Sequence, residues 1–249
     1  KMSKSKGNVV SPSAYVERYG ADTARTYICF MGPPDRGGDW VDEGLEGVHR
    51  FLGRLWRLAL EVGSGGGGGE ANASAAWQRG LAGPGRELVQ KAHWAIDKAT
   101  RDFGRGFQFN TVIAAVMELV NDAYRLKGDL LGDEDGRRVV RLAAATAGSL
   151  IFPFAPHLGS EVWELLEGGD VWEQPWPVAD PELLAADSVT LIVQVNGKLR
   201  DRVEANPDAS QEELLRLAHA SEKVRSNIDG REVIKEIVVP GKLVNLVVR

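Results

Sequence analysis

The sequence predicts a mainly α-helical, multidomain protein in which an antiparallel helical bundle precedes a small α+β domain. Apolar residues recur every three or four positions through the middle of the chain, alternate with polar residues after Asp187, and are followed there by the pair Asn196-Gly197. These patterns indicate amphipathic helices, half-buried strands and a two-residue hairpin turn. A chain of 249 residues with 43% hydrophobic residues is long enough for more than one core.

The first segment, residues 1–40, is predicted to be a loop followed by a connector. Residues 1–12 are basic and contain Gly7-Asn8, a pair that can supply the positive φ angles of a tight loop. Residues 13–31 have a helical pattern interrupted at Gly20, and the glycine- and proline-rich residues after them stop regular structure.

The second segment, residues 41–187, has the pattern of a helical bundle. Its five apolar stripes predict helices at residues 45–62, 88–103, 113–124, 140–150 and 158–165. The run of five glycines at 65–69 is predicted to be a flexible surface linker without a chemical role. The aromatic segment 172–177 is predicted to be irregular because of its prolines.

The third segment, residues 188–249, is predicted to fold as β-β-α-β-β. Asn196-Gly197 joins two strands, and Ser210 with Glu213 has the spacing of a capping box at the start of a helix. One or two further helical turns follow to about residue 228. Residues 233–239 and 243–248 are rich in β-branched residues, and Pro240-Gly241 suits a type II turn between them.

Composition excludes several classes of protein. The charged fraction of 26%, without a long apolar run or a signal peptide, predicts a soluble protein without a membrane span. The single Cys29 excludes an internal disulfide and a multi-cysteine zinc site, and the four histidines lack paired ligand spacing, so we expect no metal site. The net charge of −5 argues weakly against nucleic-acid binding, although residues 188–249 have 10 basic and 9 acidic residues.

The first five residues, Lys1, Met2, Ser3, Lys4 and Ser5, combine two lysines with two hydroxyl groups. Lysines on a loop can stabilise the negative charge that builds on a phosphate leaving group, and hydroxyl groups can donate hydrogen bonds to phosphate oxygens. The alternative is that the segment is a solvated basic patch or an address signal. The segment resembles the KMSKS loop of class I aminoacyl-tRNA synthetases, and residues 9–12 and 19–25 resemble the sequence that follows this loop in the leucyl, isoleucyl and valyl enzymes.

Residues further along the chain resemble the bacterial leucyl-tRNA synthetase family in particular. The resemblance is most specific at residues 192–200 and 239–245, and it extends to residues 32–34, 43–47, 109–111 and 154–157. We interpret the chain as the carboxy-terminal portion of such an enzyme, from the KMSKS loop to the chain end. The glycine-rich run is the main departure from the family pattern.

The resemblance implies a set of roles. Lys4 would be the principal catalytic charge stabiliser and Lys1 the second, and residues 1–5 would bind ATP, which the complete enzyme uses with Mg²⁺ as a substrate. Residues 41–187 would be the anticodon-binding domain and residues 188–249 a terminal tRNA-binding domain. The expected partners are leucine tRNA and, through the rest of the enzyme, ATP and leucine. We expect neither DNA nor a membrane as partner, and a cytoplasmic location.

One lysine and one arginine side chain are candidate tRNA contacts. Asn196-Gly197 must turn outward, since a buried turn would leave its backbone groups unpaired, and Lys198 and Arg200 follow it directly. Their charges could reach phosphates, or they could merely solvate a strand edge. Trp94, Trp163, Trp172 and Trp176 could stack on bases, but tryptophans at bundle ends more often serve packing.

Two alternatives remain open from the sequence. The chain could be a non-catalytic tRNA-binding module, or part of an isoleucyl or valyl enzyme, although the leucyl-like hairpin and the isolated Cys29 argue against the second. The nucleotide-binding core with its HIGH element, the leucine pocket and the editing domain of the family are not within these 249 residues. We therefore expect the chain alone to be inactive.

Overall fold

The computed structural model describes residues 5, 9–33, 38–63, 76–106, 108–184, 189–205, 209–239 and 242–249. The described residues form two compact units, a helical unit up to Leu184 and an α+β unit from Ala185 onward. This content of helices, with one small sheet, confirms the predicted fold class. The division of the chain at residue 40 stays a prediction.

Helices account for most of the helical unit. They are α1 (Pro12–Tyr19), α2 (Ala21–Phe30), α3 (Asp42–Gly63), α4 (Ala76–Arg79), α5 (Gly83–Gly104), α6 (Phe109–Leu130), α7 (Glu134–Ile151), α8 (Pro156–Glu167) and α9 (Pro181–Leu184). The five predicted bundle helices are present as α3, α5, α6, α7 and α8, and the predicted break falls at Gly20, whose φ is 87°. A 3-10 turn at Val171–Glu173 interrupts the segment predicted to be irregular. The predicted linker at 65–69 lies outside the described residues.

Helix α7 lies at the centre of the helical unit, in contact with α3, α5, α6 and α8. It is buried around most of its circumference, and the residues that allow this are mostly small: Ala143, Ala144, Ala145, Ala147 and Gly148 are all buried. Burial on several faces, as between residues 142 and 151, is typical of a helix in a protein interior. Its first turn is capped by Asp133, whose carboxylate accepts a hydrogen bond from the Gly136 N–H at 2.7 Å.

Two glycines allow α7 and α8 to pack closely. A Cβ atom added to Gly159 would lie 2.8 Å from the Cα of Phe152 and 2.9 Å from the carbonyl oxygen of Gly148. A Cβ atom added to Gly148 would lie 2.7 Å from a methyl carbon of Val162. Because protein interiors are close-packed, neither position has room for a larger residue without a backbone shift.

The α+β unit contains strands β1 (Val189–Val195), β2 (Lys198–Ala205), β3 (Val233–Val239) and β4 (Leu243–Val248), with helices α10 (Gln211–Ala220) and α11 (Glu222–Ile228). The sheet order is β2-β1-β4-β3, in which β1 and β4 are parallel and the outer pairs are antiparallel. Both helices pack against the sheet, around buried residues such as Leu191, Leu214 and Leu246. The predicted strands are confirmed, and the predicted turn at 240–241 lies outside the described residues.

Serine residues begin both helices of the α+β unit. Ser210 Oγ accepts a hydrogen bond from the Glu213 N–H at 3.2 Å, as the predicted capping box requires. Ser221 Oγ accepts from the Val224 N–H at 3.3 Å and starts α11 as a separate helix. The predicted order β-β-α-β-β therefore holds, with its helical part divided in two at Ser221.

The close contact between α7 and α8 leads to a first prediction. Gly159→Ala should destabilise the helical unit by about 2 kcal/mol, because the added methyl group overpacks a contact with backbone atoms. Gly128→Ala is the matched control: Gly128 lies in α6 with open space where its Cβ would be, so alanine should stabilise by up to ~1 kcal/mol. All seven tryptophans belong to the helical unit, so urea unfolding followed by tryptophan fluorescence reports on it alone. Equal stabilities for the two variants would contradict the packing argument.

Candidate functional site

The predicted ATP-binding segment lies at the start of the chain. Lys1, Met2, Ser3 and Lys4 lie outside the described residues, and Ser5 is described as an exposed residue. The roles predicted for these five residues stay predictions. The first helices of the described structure are α1 and α2, which follow this segment in the sequence.

Two tyrosines of α1 attach it to the start of α3. The Tyr15 hydroxyl donates a hydrogen bond to the Asp42 carboxylate at 2.8 Å, and the Tyr19 hydroxyl donates to Glu46 at 3.0 Å. The hydrogen bond from Tyr15, with a second from Trp40, holds the pKa of Asp42 below its ordinary value. The same bond to a carboxylate raises the pKa of Tyr15. Asp42 is therefore a carboxylate that binds both aromatic donors.

A third tyrosine attaches α2 to the residue that precedes α3. The buried Tyr27 hydroxyl donates to the carbonyl oxygen of Val41 and accepts from the N–H of the same residue, both at 2.8 Å. Its ring lies so close to α3 that a Cβ atom at Gly44 would be 2.8 Å from it. Both backbone groups of Val41 are thus paired by one side chain.

Asp22 of α2 binds the N-terminus of α8. Its carboxylate accepts the backbone N–H of Leu158 at 2.8 Å and lies 2.9 Å from Nδ1 of His157. The first N–H groups of a helix lack partners within the helix and attract negative charge, so Asp22 serves as a cap supplied by a distant helix. Together with the tyrosine contacts, it fixes α1 and α2 to the bundle at both α3 and α8.

The hairpin of the α+β unit turns at the predicted residues. Asn196 and Gly197 are exposed and have φ angles of 51° and 75°, as a two-residue turn with positive φ at both positions requires. The Asn196 side chain donates to the carbonyl oxygen of Val248 at 3.1 Å and accepts from its N–H at 2.9 Å. The Gly197 N–H donates to the Asn245 side chain at 3.0 Å. The turn is therefore held against β4.

Lys198 and Arg200 follow this turn on β2, at one edge of the described sheet, and both are exposed. Val193 pairs with Asp201 and Gln194 pairs with Leu199, so Arg200 is the additional residue of a β-bulge. A bulge disrupts the ladder locally and changes the direction of a side chain. Neither cation has an ion-pair partner within the described part of the chain.

The carboxylate nearest to these cations along the strand is already bound on the helix side. Asp201 accepts hydrogen bonds from the Ser221 hydroxyl at 2.6 Å and from the Lys223 ammonium at 3.0 Å. These two donors lower the pKa of Asp201 to about 2. Because α11 binds this carboxylate, Lys198 and Arg200 remain available to an external anion.

Arg202 is a third cation of this strand that sequence reasoning did not select. It is exposed, lies opposite Ile192 in the register, and has no ion-pair partner among the described residues. The signal was present in the sequence, since residues 198, 200 and 202 are all basic on one predicted strand.

The four tryptophans considered as base-stacking residues lie in different environments. Trp163 of α8 is buried in the core, and Trp94 of α5 lies under the Lys91 ammonium at 3.5 Å from the ring centre. Trp172 is 59% exposed and Trp176 is 37% exposed, both after α8. Trp163 thus serves packing, whereas Trp172 and Trp176 present surface to solvent.

Two kinds of feature are not found in the described ranges. None of the helices there is both long and apolar enough to cross a membrane. In the same ranges, histidine, cysteine and acidic residues do not come together in groups of three or more that could hold a metal ion. Cys29 is half-buried, and burial raises the pKa of its thiol.

Comparison with protein families places the chain in a known class. Residues 85–215 match the family described as the anticodon-binding domain of tRNA ligase, and residues 1–38 match the class I tRNA synthetases for isoleucine, leucine, methionine and valine. The first match alone covers more than half of the chain. The chain therefore belongs to the anticodon-binding-domain family of tRNA ligases.

Within this family the chain is homologous to leucine–tRNA ligases over its whole length. It is 47% identical to the enzyme of Nitratidesulfovibrio vulgaris strain DP4 over 256 aligned positions, and 43% identical to that of Oleidesulfovibrio alaskensis. The alignments include 100% and 99% of this chain, which spans about 30% of the length of either relative. The predicted leucyl resemblance is confirmed, and an isoleucyl or valyl enzyme is not favoured.

A solved structure has the same fold. The chain superimposes on the LeuRS of Agrobacterium radiobacter K84 in its ternary complex with tRNA and LeuAMS with a TM-score of 0.77 and 30% identity. The match includes 100% of this chain and 32% of the other.

Asp201 leads to a prediction on acid stability. Its pKa is lowered in the folded state, so its hydrogen bonds stabilise the α+β unit above the ordinary pKa of 3.8 and are lost as the pH falls towards 2. The α+β unit should therefore lose stability between about pH 4 and pH 2, and Asp201→Asn should flatten this part of the pH dependence. Amide NMR signals of residues in β1 and β2, followed in urea at each pH, measure the effect. Asp229→Asn removes a carboxylate elsewhere in the unit and serves as control; a pH dependence unchanged by Asp201→Asn would refute the assignment.

Proposed function

We propose that this chain supplies the KMSKS segment and the tRNA-docking units of an ATP-dependent leucine–tRNA ligase. Residues 1–40 would belong to the catalytic domain, residues 41–187 would form the anticodon-binding domain, and residues 188–249 a terminal tRNA-binding domain. The observation that carries the proposal is the match to leucine–tRNA ligases along the entire chain, at up to 47% identity. The fold shared with a LeuRS that was solved with tRNA and LeuAMS supports it.

The proposed chemistry of residues 1–5 concerns the activation of leucine. The leucine carboxylate attacks the α-phosphate of ATP, and pyrophosphate leaves with increasing negative charge. Lys4, assisted by Lys1, would stabilise this charge, while Ser3, Ser5 and backbone N–H groups would hold phosphate oxygens. ATP would enter as its Mg²⁺ complex, and leucine would bind in the part of the enzyme outside this chain. The cytoplasm, where tRNA and ATP are available, is the proposed compartment.

The attachment of α1 and α2 to the bundle gives the proposal a physical basis. These helices connect the proposed ATP segment to α3 and α8 through Tyr15, Tyr27 and Asp22. If tRNA docks on the bundle, the bundle would help to position both the acceptor end of the tRNA and the ATP segment. Positioning of reactants is worth several orders of magnitude in rate, so the attachment of α1 and α2 to the bundle would matter for catalysis.

A chimeric enzyme tests the proposed function directly. The part of the Nitratidesulfovibrio vulgaris ligase that aligns with this chain is replaced by this chain, and leucylation of leucine tRNA is measured. We expect the chimera to charge the tRNA and this chain alone to show no leucine-dependent ATP–pyrophosphate exchange. A chimera that is folded and activates leucine but fails to charge tRNA would contradict the proposed docking role.

Lys4 is tested in the same chimera. Lys4→Ala should slow leucine-dependent ATP–pyrophosphate exchange roughly 100-fold, because loss of one preorganised charge partner costs about 3 kcal/mol in the transition state. The KM for leucine should change little. Lys6→Ala removes a neighbouring lysine outside the KMSKS motif and should have a small effect. An exchange rate unaffected by Lys4→Ala would exclude the proposed role.

Lys198 and Arg200 are tested by tRNA binding at two salt concentrations. The double variant Lys198→Ala/Arg200→Ala should bind leucine tRNA more weakly and with a salt dependence reduced by up to about two units of slope, since each phosphate contact contributes about 0.7–0.9. Arg216→Ala/Arg225→Ala removes two charges from the helix side of the same unit and should change both quantities less. If the hairpin variant keeps the affinity and slope of the original chain, these side chains only solvate the strand edge.

A further inference from the structure

A cavity in the helical unit includes two of the tryptophans described above. Its volume is about 330 Å³, it is partly open to solvent, and it is lined by α4, α5, α7, α8 and residues 174–178. Its lining includes the side chains of Gln78, His93, Thr146, Ser149, Trp163 and Trp176. A volume of this size lies at the lower end of the range of small-molecule pockets, about 300–1,000 Å³.

Aromatic and apolar side chains form much of the cavity lining. Trp163 contributes to it from α8, and Trp176 contributes with its flanking prolines. The Trp176 Nε1–H donates to the hydroxyl of Thr100 at 2.9 Å, and its ring meets that of Phe103 edge to face, at 5.5 Å between centres. Trp176 is thus fixed by a hydrogen bond and an aromatic contact before any ligand arrives.

Hydrogen-bonding groups without partners line the same space. The side chain of Thr146 is part of a residue only 7% exposed, and neither it nor Ser149 one turn later has a hydrogen-bond partner among the described residues. Because no group of the described chain pairs with them, both hydroxyl groups can donate and accept hydrogen bonds with a molecule in the cavity.

The cavity has no counter-charge for an ionic ligand. Its lining contains histidine but neither lysine, arginine, aspartate nor glutamate. His93 accepts the backbone N–H of Asp180 on Nδ1 at 2.9 Å and pairs through Nε2 with the Gln78 side chain at 2.7 Å. Burial lowers the pKa of His93, so the ring stays neutral with both nitrogens engaged. An ionised ligand would lose its hydration without compensation.

We propose that this cavity binds a nucleobase: an uncharged, planar heterocycle with hydrogen bonds along one edge. The Trp176 ring contacts a face of the heterocycle, and the hydroxyl groups of Thr146 and Ser149 pair with its edge. The base belongs either to a free nucleoside or to an unpaired nucleotide of a bound RNA. Ordered water would satisfy the same hydroxyl groups but would not use the aromatic walls.

Titration of the chain with adenosine, guanosine, cytidine and uridine tests the proposal. Saturation-transfer NMR should show saturable binding of at least one of them, with signal on the base protons. Thr146→Val keeps the shape of the side chain and removes its hydroxyl, so affinity should fall ~10-fold. Trp176→Ala, which removes a wall, should weaken binding at least as much. Trp172→Ala is the matched control, since this tryptophan lies in the same segment outside the cavity and should leave affinity unchanged.

A competition experiment identifies the source of the base. If leucine tRNA displaces the nucleoside and Thr146→Val weakens both ligands, the base comes from RNA. If tRNA binds the chain and leaves nucleoside binding unchanged, the ligand is a free nucleoside. If tRNA docking itself fails, saturable nucleoside binding that Thr146→Val weakens still supports the cavity. The proposal is overturned if no nucleoside saturates and Thr146→Val leaves tRNA affinity unchanged. The proposal is also overturned if Thr146→Val and Trp176→Ala, with unaltered circular dichroism, bind the nucleoside as tightly as the control Trp172→Ala.

Discussion

The helical unit depends on a helix that other helices can surround. Helix α7 achieves this with alanine and glycine, at Ala143, Ala144, Ala147 and Gly148, so that four neighbouring helices approach its backbone. Close packing leaves little tolerance in such an arrangement, because a volume added at the centre displaces several helices at once. The only hydroxyl-bearing residues in the second half of α7, Thr146 and Ser149, both face the cavity between these helices.

The packing around α7 determines where α8 lies. The position of α8 in turn helps to determine where α2 lies. Gly159 lets α8 lie against α7, which brings the Leu158 N–H to the carboxylate of Asp22. Asp22 belongs to α2, so one glycine contact in the core helps to orient helices that follow the KMSKS segment closely in sequence. Packing at Gly159 and the hydrogen bond at Leu158 therefore connect the core of the bundle to α2.

The sequence was sufficient for features that are local or periodic. The stripe of leucines and valines in α3, the Ser210 cap and the Asn196-Gly197 turn each depend on residues a few positions apart. Long-range features had no comparable signal: the bulge at Arg200 does not break the alternation of the strand, and the pairing of Asn196 with Val248 joins distant segments. The roles of Lys1 and Lys4 came from resemblance alone. The cavity at Thr146 required the packing of three helices and a loop, which periodicity cannot specify.

The parallel pairing of β1 with β4 has a consequence for synthesis on the ribosome. The first and last strands of the α+β unit are central neighbours, and the Asn196 to Val248 bonds close a loop of 52 residues. Until β4 has left the exit tunnel, β1 pairs only with β2, and the core that α10 and α11 cover lacks the buried β4 side chains, such as Leu246. The four-stranded sheet can be completed only after β4 has been translated, because β4 lies between β1 and β3. Premature termination before Leu243 would therefore expose Leu191 and Val193 to proteases and chaperones rather than yield a shortened domain.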